Sequence, residues 1–276
     1  MSDAKIHYLR RQLSEDAARR PVLVILHQET SSPGKLGQML QAKGYPLDIR
    51  RPRFGDPLPE TMADHSGAVI FGGPMSANDT DDFVKREIDW INVPLKEEAP
   101  FLGICLGAQM LVKTLGGEVK SHCEGCAEIG FYRLDATPEG AAMMDWPSHV
   151  YQWHREGFDL PTGATLLARG ELFQNQAFSI GPAAFGVQFH SELTYAMACR
   201  WTVRGAERMN LPGARPRPDH MAKWFRYDPP VRQWLDGFLD SWIARDGRAP
   251  RAQLSDAGAS AAAKSVVSSQ SRIASS

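Results

Sequence analysis

Cysteine is scarce in this chain: Cys105, Cys123, Cys126 and Cys199 are the only four in 276 residues. They are too few and too irregularly spaced for a disulfide scaffold, so a reducing cytoplasm is the expected setting. Charge of one sign is scarce too. The 31 Lys and Arg residues nearly balance the 32 Asp and Glu, which argues against nucleic acid or an anionic membrane as a partner. No apolar run reaches the length of a transmembrane helix. The opening stretch, residues 1–12, lacks the apolar segment of a secretory signal. No G-x-x-x-x-G-K-[ST] occurs, which excludes a phosphate-binding loop of that type. No internal repeat is present.

What is present is concentrated in residues 101–109, F-L-G-I-C-L-G-A-Q. A short apolar strand runs into Gly103-Ile104-Cys105-Leu106-Gly107 and then into a helical pattern. A reactive side chain on a sharp strand-to-helix turn, with glycines two residues to either side, is a nucleophile elbow. A Cβ at either glycine would obstruct the turn. The helix N-terminus favours thiolate over thiol at Cys105. Cys105 is therefore the candidate nucleophile.

The surrounding pattern is α/β. Pro21–His27 reads as a strand buried on both faces, followed by a helix from Ser31-Ser32-Pro33 with Leu36, Met39 and Leu40 inward and Gly44 past its end. Leu47–Arg51 and Gly67–Phe71 read as further strands, Asp81–Trp90 as a helix and Phe101–Ile104 as the strand feeding the elbow. This alternation with short loops predicts a doubly wound, mostly parallel sheet. Further on, Glu128–Leu134, Val150–Trp153, Thr165–Ala168 and Ala184–Phe189 read as strands. A helix is expected over about Thr194–Arg208, a turn-rich connection over residues 210–220, and a last helix beginning at Pro230 with Val231, Trp234, Leu235, Phe238, Leu239, Trp242 and Ile243 on one apolar face. Residues 1–20 read as an N-terminal extension, 21–245 as one catalytic domain and 246–276 as a disordered tail rich in Ala and Ser.

A cysteine nucleophile needs a base, and the base needs an orienting group. His190 follows an apolar strand in G-V-Q-F-H-S-E (186–192). Glu192, two residues on, projects to the same side of an extended chain. The oxyanion needs backbone donors: the Leu106 N–H supplies one, and Gly73, in the turn after the third strand, the other.

With G-G-P-M at 72–75, G-I-C-L-G-A-Q at 103–109 and G-V-Q-F-H-S-E at 186–192 in order, residues 21–245 resemble class I glutamine amidotransferases of the Cys-His-Glu type. The likeness is greatest to stand-alone proteins similar to the glutaminase domain of GMP synthase. The resemblance implies a flavodoxin-like fold and Cys105, His190 and Glu192 as catalytic triad. It implies Gly73 and Leu106 as oxyanion hole and Gln109 as a contact to the glutamyl part of the substrate. It implies glutamine as substrate, no cofactor or metal, and a separate synthase subunit that accepts the ammonia. Residues 151–157, Y-Q-W-H-R-E-G, resemble the region carrying S-H-x-D in GMP synthases, with Trp153 for the serine and Glu156 for the aspartate. His154 and Glu156 are thereby expected beside the site, in a supporting role. Ser191 stands where the family carries proline.

A second reading is a γ-glutamyl peptidase or hydrolase, which would need a roomier pocket around the leaving group. A third, a binding or regulatory protein that kept the fold without the chemistry, sits badly with an intact triad. His122-Cys123-Glu124-Gly125-Cys126 lacks the second ligand pair of a zinc knuckle and reads as a plain loop. His27 and His65 read as ordinary strand-end and loop residues. Trp146, Trp153, Trp201, Trp234 and Trp242 read as groove and core fillers.

Overall fold

The computed structural model describes residues 19–247. The expected extension and tail lie, apart from two residues each, outside them. The first half follows the expected alternation: β1 (Val22–Ile25), α1 (Gly34–Ala42), β2 (Leu47–Arg50), β3 (Gly67–Ile70), α2 (Asp82–Trp90), α3 (Asn92–Lys96), β4 (Phe101–Ile104) and α4 (Leu106–Thr114). The second half contains β5 (Val119–Ser121), β6 (Glu128–Arg133), β7 (Asp135–Ala136), α5 (Pro138–Met143), β8 (His149–His154), β9 (Glu156–Phe158), β10 (Thr165–Arg169), β11 (Ala177–Ile180), β12 (Ala184–Val187), α6 (Tyr195–Arg204) and α7 (Arg217–Ile243).

Eight strands form the main sheet in the order β2-β1-β3-β4-β12-β11-β10-β7. The five from β2 to β12 run parallel, and the remaining three continue the sheet antiparallel. The pairs β5-β9 and β6-β8 make two small sheets beside it.

Alternation along β1 explains its unbroken apolar run. Val22 and Val24 face a core shared with Leu36 and Leu40 of α1 and Trp234, Phe238 and Trp242 of α7. Leu23 and Ile25 face the opposite core, shared with Val84 and Trp90 of α2 and Met110 and Leu111 of α4. A strand covered on both faces has no polar side to present.

The last helix departs from the expectation. It starts at Arg217, upstream of the expected Pro230, and carries Pro229 and Pro230 inside it. The prolines read as a helix start in sequence because each removes an N–H from the ladder. Packing overrides them: Trp224, in the upstream half, is buried against Phe131 of β6 and Tyr151 of β8. The preceding helix is shorter than expected. It ends at Arg204, and residues 206–210 tighten into a 3₁₀ turn.

Candidate active site

Four neighbouring parallel strands, β1, β3, β4 and β12, end at the same edge of the sheet. Carboxyl ends of such strands are where α/β sheets place their ligands. His27, Gly72-Gly73, Cys105 and His190 all follow these ends within three residues.

Cys105 joins β4 to α4 with φ +52° and ψ −104°. A non-glycine residue in that region costs about 1–3 kcal/mol, a strain that clusters at functional sites. The glycines around it permit the turn by close backbone approach. A Cβ on Gly103 would lie 2.4 Å from the Gly107 carbonyl oxygen, and one on Gly107 would lie 2.1 Å from that of Ile70. Cys105 is 6% exposed and lines two cavities.

Register brings the base to it. Val187 of β12 pairs with Ile104 of β4, and the Cys105 N–H donates to the Val187 carbonyl (2.8 Å). The chain leaving β12 therefore passes beside the elbow. The strand ends at Val187, two residues earlier than expected, so His190 and Glu192 lie in the following turn. They still meet: His190 Nδ1–H donates to Glu192 Oε1 at 2.7 Å, leaving Nε2 for the Cys105 side chain, with which the ring is also hydrogen-bonded. The turn is braced from β8 and α1. The His190 N–H donates to the Tyr151 carbonyl (2.9 Å) and the Lys35 N–H to the Glu192 carbonyl (2.8 Å). Gly34, at φ +55°, leaves room for that second contact, since its Cβ would lie 2.2 Å from the Glu192 oxygen.

Burial alone would discharge the His190 imidazolium. The Glu192 carboxylate and the Cys105 side chain outweigh it and raise its pKa to about 10. The ring thus holds its proton at neutral pH. The edge of Trp201 closes over it at 4.9 Å between centroids.

Leu106 is the first residue of α4, so its N–H has no acceptor within the helix. Gly73 is oriented by His27, which is more than the ordinary strand-end residue expected from sequence. His27, fully buried beyond β1, places Nε2 2.8 Å from Glu87 Oε2 and Nδ1 3.1 Å from the Gly72 carbonyl oxygen. A trans peptide points its C=O and N–H in opposite directions. Holding the Gly72 oxygen against His27 therefore turns the Gly73 N–H away from that ring. A Cβ on Gly72 would lie 2.8 Å from His190 Cε1 and 3.4 Å from Cys105 Cβ, so this loop packs directly on the Cys-His pair. The available signals were a histidine at the end of a buried strand and a glutamate on the inward side of α2.

Gln109 is buried one turn into α4. Its Nε2 donates to the Glu156 carbonyl (2.9 Å) and to Gln188 Oε1 (3.2 Å). His154 contacts the same Glu156 carbonyl (2.9 Å) and the buried Glu128 carboxylate (3.1 Å), placing it as a support beneath the site. The Glu156 side chain lines the narrower cavity and accepts from the Ser76 hydroxyl (3.1 Å). Away from this edge, His122, Glu124 and Cys126 bring donor atoms within 4.8 Å of one another. His122 Nδ1 accepts the Glu124 N–H (3.2 Å), and its ring packs on Phe173. His65 binds Asp48 (2.9 Å) at the far end of β1. Trp146 and Trp234 pack together, and Trp242 is fully buried, as core fillers do.

The glutamine amidotransferase class-I family model matches residues 33–198, a span that includes Gly73, Cys105, His190 and Glu192. The chain belongs to the class-I glutamine amidotransferase family. Within it, the glutamine amidotransferase-like protein YfeJ of Salmonella typhimurium is 31% identical over 180 residues, or 62% of this chain and 74% of YfeJ. A glutamine-hydrolysing GMP synthase subunit from Sulfurisphaera tokodaii is 30% identical over 140 residues, 49% of this chain and 72% of its own length. The match to the GMP synthase of Porphyromonas gingivalis, 34% over 146 residues, spans only 27% of that longer protein. Among solved structures, a glutamine amidotransferase from Methylobacillus flagellatus superposes with TM-score 0.76 at 27% identity, covering 84% of this chain and 97% of its own. Among the described residues, no helix is long and apolar enough to cross a membrane.

Proposed function

We propose that the protein hydrolyses the side-chain amide of glutamine through a Cys105 thioester, releasing glutamate and ammonia for a separate acceptor enzyme in a reducing cytoplasm. The observation that carries this reading is the hydrogen-bonded chain from Glu192 through His190 to Cys105, set on a strained elbow. The Cys105 thiolate attacks the γ-carbonyl carbon, and the N–H groups of Leu106 and Gly73 receive the developing oxyanion. His190 gives its proton to the departing nitrogen as the C–N bond breaks. The neutral imidazole then takes a proton from water, whose oxygen attacks the thioester, and the carbon–sulfur bond breaks to restore the thiolate. Glu192 fixes the ring orientation and stabilises its charged form throughout. Kinship with the Sulfurisphaera tokodaii GMP synthase subunit supports a separate synthase protein in the role of ammonia acceptor.

The test follows ammonia and glutamate from glutamine, with Cys105→Ala as blank. Equal turnover in both proteins would overturn the reading. A second reading, hydrolysis of γ-glutamyl amides that carry a larger leaving group, is favoured by one observation: the cavity on the His190 side of Cys105, about 290 Å³, exceeds the narrower one, about 90 Å³.

A further inference from the structure

The two cavities meet at Cys105 and are lined differently. His190 and Glu192 line only the wide one, and Leu106 and Gln109 only the narrow one. This asymmetry orients any acyl substrate. The carbonyl oxygen must face the Leu106 N–H, and the leaving nitrogen must lie within reach of the His190 proton. The acyl chain therefore occupies the narrow cavity and the leaving amine the wide one. Ammonia is a water-sized molecule, which needs only about 10–15 Å³ of such space. The wide cavity offers about 290 Å³.

Its chemistry is specific. Arg200 and Arg204, one turn apart on α6, line one wall. Arg208 stands where the two cavities join. All three are exposed, and none is ion-paired with a carboxylate among the described residues. Glu192, bound to His190, and Glu207 on the rim are the acidic residues of this lining. Trp153 and Trp201, edge to face at 5.8 Å, form an apolar wall beside the arginines. Gly205 lets that wall close, because a Cβ there would lie 2.8 Å from the Trp153 ring. A guanidinium free of carboxylate partners offers a planar fork of N–H donors that suits a carboxylate.

We propose that the wide cavity is a leaving-group subsite for γ-glutamyl amides whose amine part carries a carboxylate, that is, γ-glutamyl amino acids and peptides, with Arg200 and Arg204 as the specificity-determining residues. This rests on the acyl-transfer reading of Cys105, His190 and Glu192. The bond broken is the γ-amide C–N. The amino acid or peptide departs with the His190 proton, and water completes hydrolysis to glutamate, so no further reactant is required.

The test compares γ-glutamylglycine with γ-glutamylglycinamide, which differ only in the terminal carboxylate. kcat/KM for both is measured on the intact chain and on the Arg200→Ala/Arg204→Ala double variant. Equilibrium binding of both to the Cys105→Ala protein, with and without the arginine substitutions, is measured alongside. The intact enzyme is expected to prefer the carboxylate form by about tenfold, in line with a charge-assisted hydrogen bond. The double variant should lose most of that preference, and Lys at both positions should restore part of it. The preference should also shrink as salt is raised, because the guanidinium groups are exposed. Equal kcat/KM for the two compounds in the intact enzyme, or a preference unchanged in the double variant, overturns the proposal. If glutamine alone is hydrolysed, the subsite assignment fails. If nothing is hydrolysed, the acyl-transfer reading fails and binding decides the subsite. Arginine-dependent selectivity in the Cys105→Ala background keeps it, and equal binding removes it.

Discussion

At the scale of single residues, the site works through small groups that let large ones approach. Gly72 is the clearest case, since any side chain there meets His190 Cε1 at 2.8 Å. Gly72→Ala should lower kcat by about a hundredfold, because a displacement near 1 Å at reacting groups has that effect. The melting temperature should change little, since Gly72 is only half-buried. His27 acts one step further back. His27→Ala frees the Gly72 carbonyl, so the Gly73 N–H loses its fixed direction. A lower kcat by about ten- to a hundredfold with KM little changed is expected, the signature of an interaction made only in the transition state. The removal also leaves Glu87 buried without its partner, so Glu87→Gln should be combined with it to keep the fold intact for the assay. Unchanged kcat in the double variant would separate the His27-Glu87 pair from catalysis. The legibility of these residues was uneven. Cys105 and its glycines stand out because elbow chemistry is local in sequence. His27 does not, because its role depends on Glu87 and Gly72, sixty and forty-five residues away.

At the scale of elements, the parallel half of the sheet was readable and the antiparallel half much less so. Strands such as Val22–Ile25 and Phe101–Ile104 are continuous apolar runs because both faces are covered. β5, β7, β9 and β11 escape the sequence pattern because they are two to four residues long and not fully buried. They are strands only because a neighbour already lies in the sheet. The shift at α7 has the same cause. Local chemistry at Pro229 and Pro230 argues for a break, and the burial of Trp224 upstream and Trp234 downstream joins both halves into one helix. A proline in a helix interior costs about 3 kcal/mol relative to alanine, while its loss frees the unfolded chain by up to about 1 kcal/mol. Pro230→Ala should therefore stabilise the protein by about 2 kcal/mol, read as a higher midpoint in urea with an unchanged slope. A lower midpoint would mean that the proline itself helps to seat both tryptophans.

At the scale of the whole molecule, the proposed mechanism links stability and activity through one buried proton. His190 joins β12 to the elbow, and its charge is held by Glu192 and Cys105 against the cost of burial. Its pKa of about 10 in the folded protein lies above the unfolded value near 6.5. A group with a raised folded pKa contributes stability that is complete below the unfolded pKa and disappears as pH rises through the folded one. The stabilising effect of the charged ring should thus be full below about pH 6.5, decline above it and be gone beyond about pH 10. His190→Gln lacks this proton, so the difference in unfolding free energy between wild type and variant should be largest in mild acid and should narrow steadily into alkali. In the proposed mechanism catalysis draws on the same proton, because the leaving nitrogen needs it. kcat/KM should fall on an alkaline limb near pH 10, with no histidine-like inflection near pH 6.5 from this residue. If the limb and the narrowing occur together, one titration governs both. A limb near neutrality with a pH-independent stability difference would mean that Glu192 and Cys105 do not hold the charge on His190 and that its imidazole titrates in the ordinary histidine range.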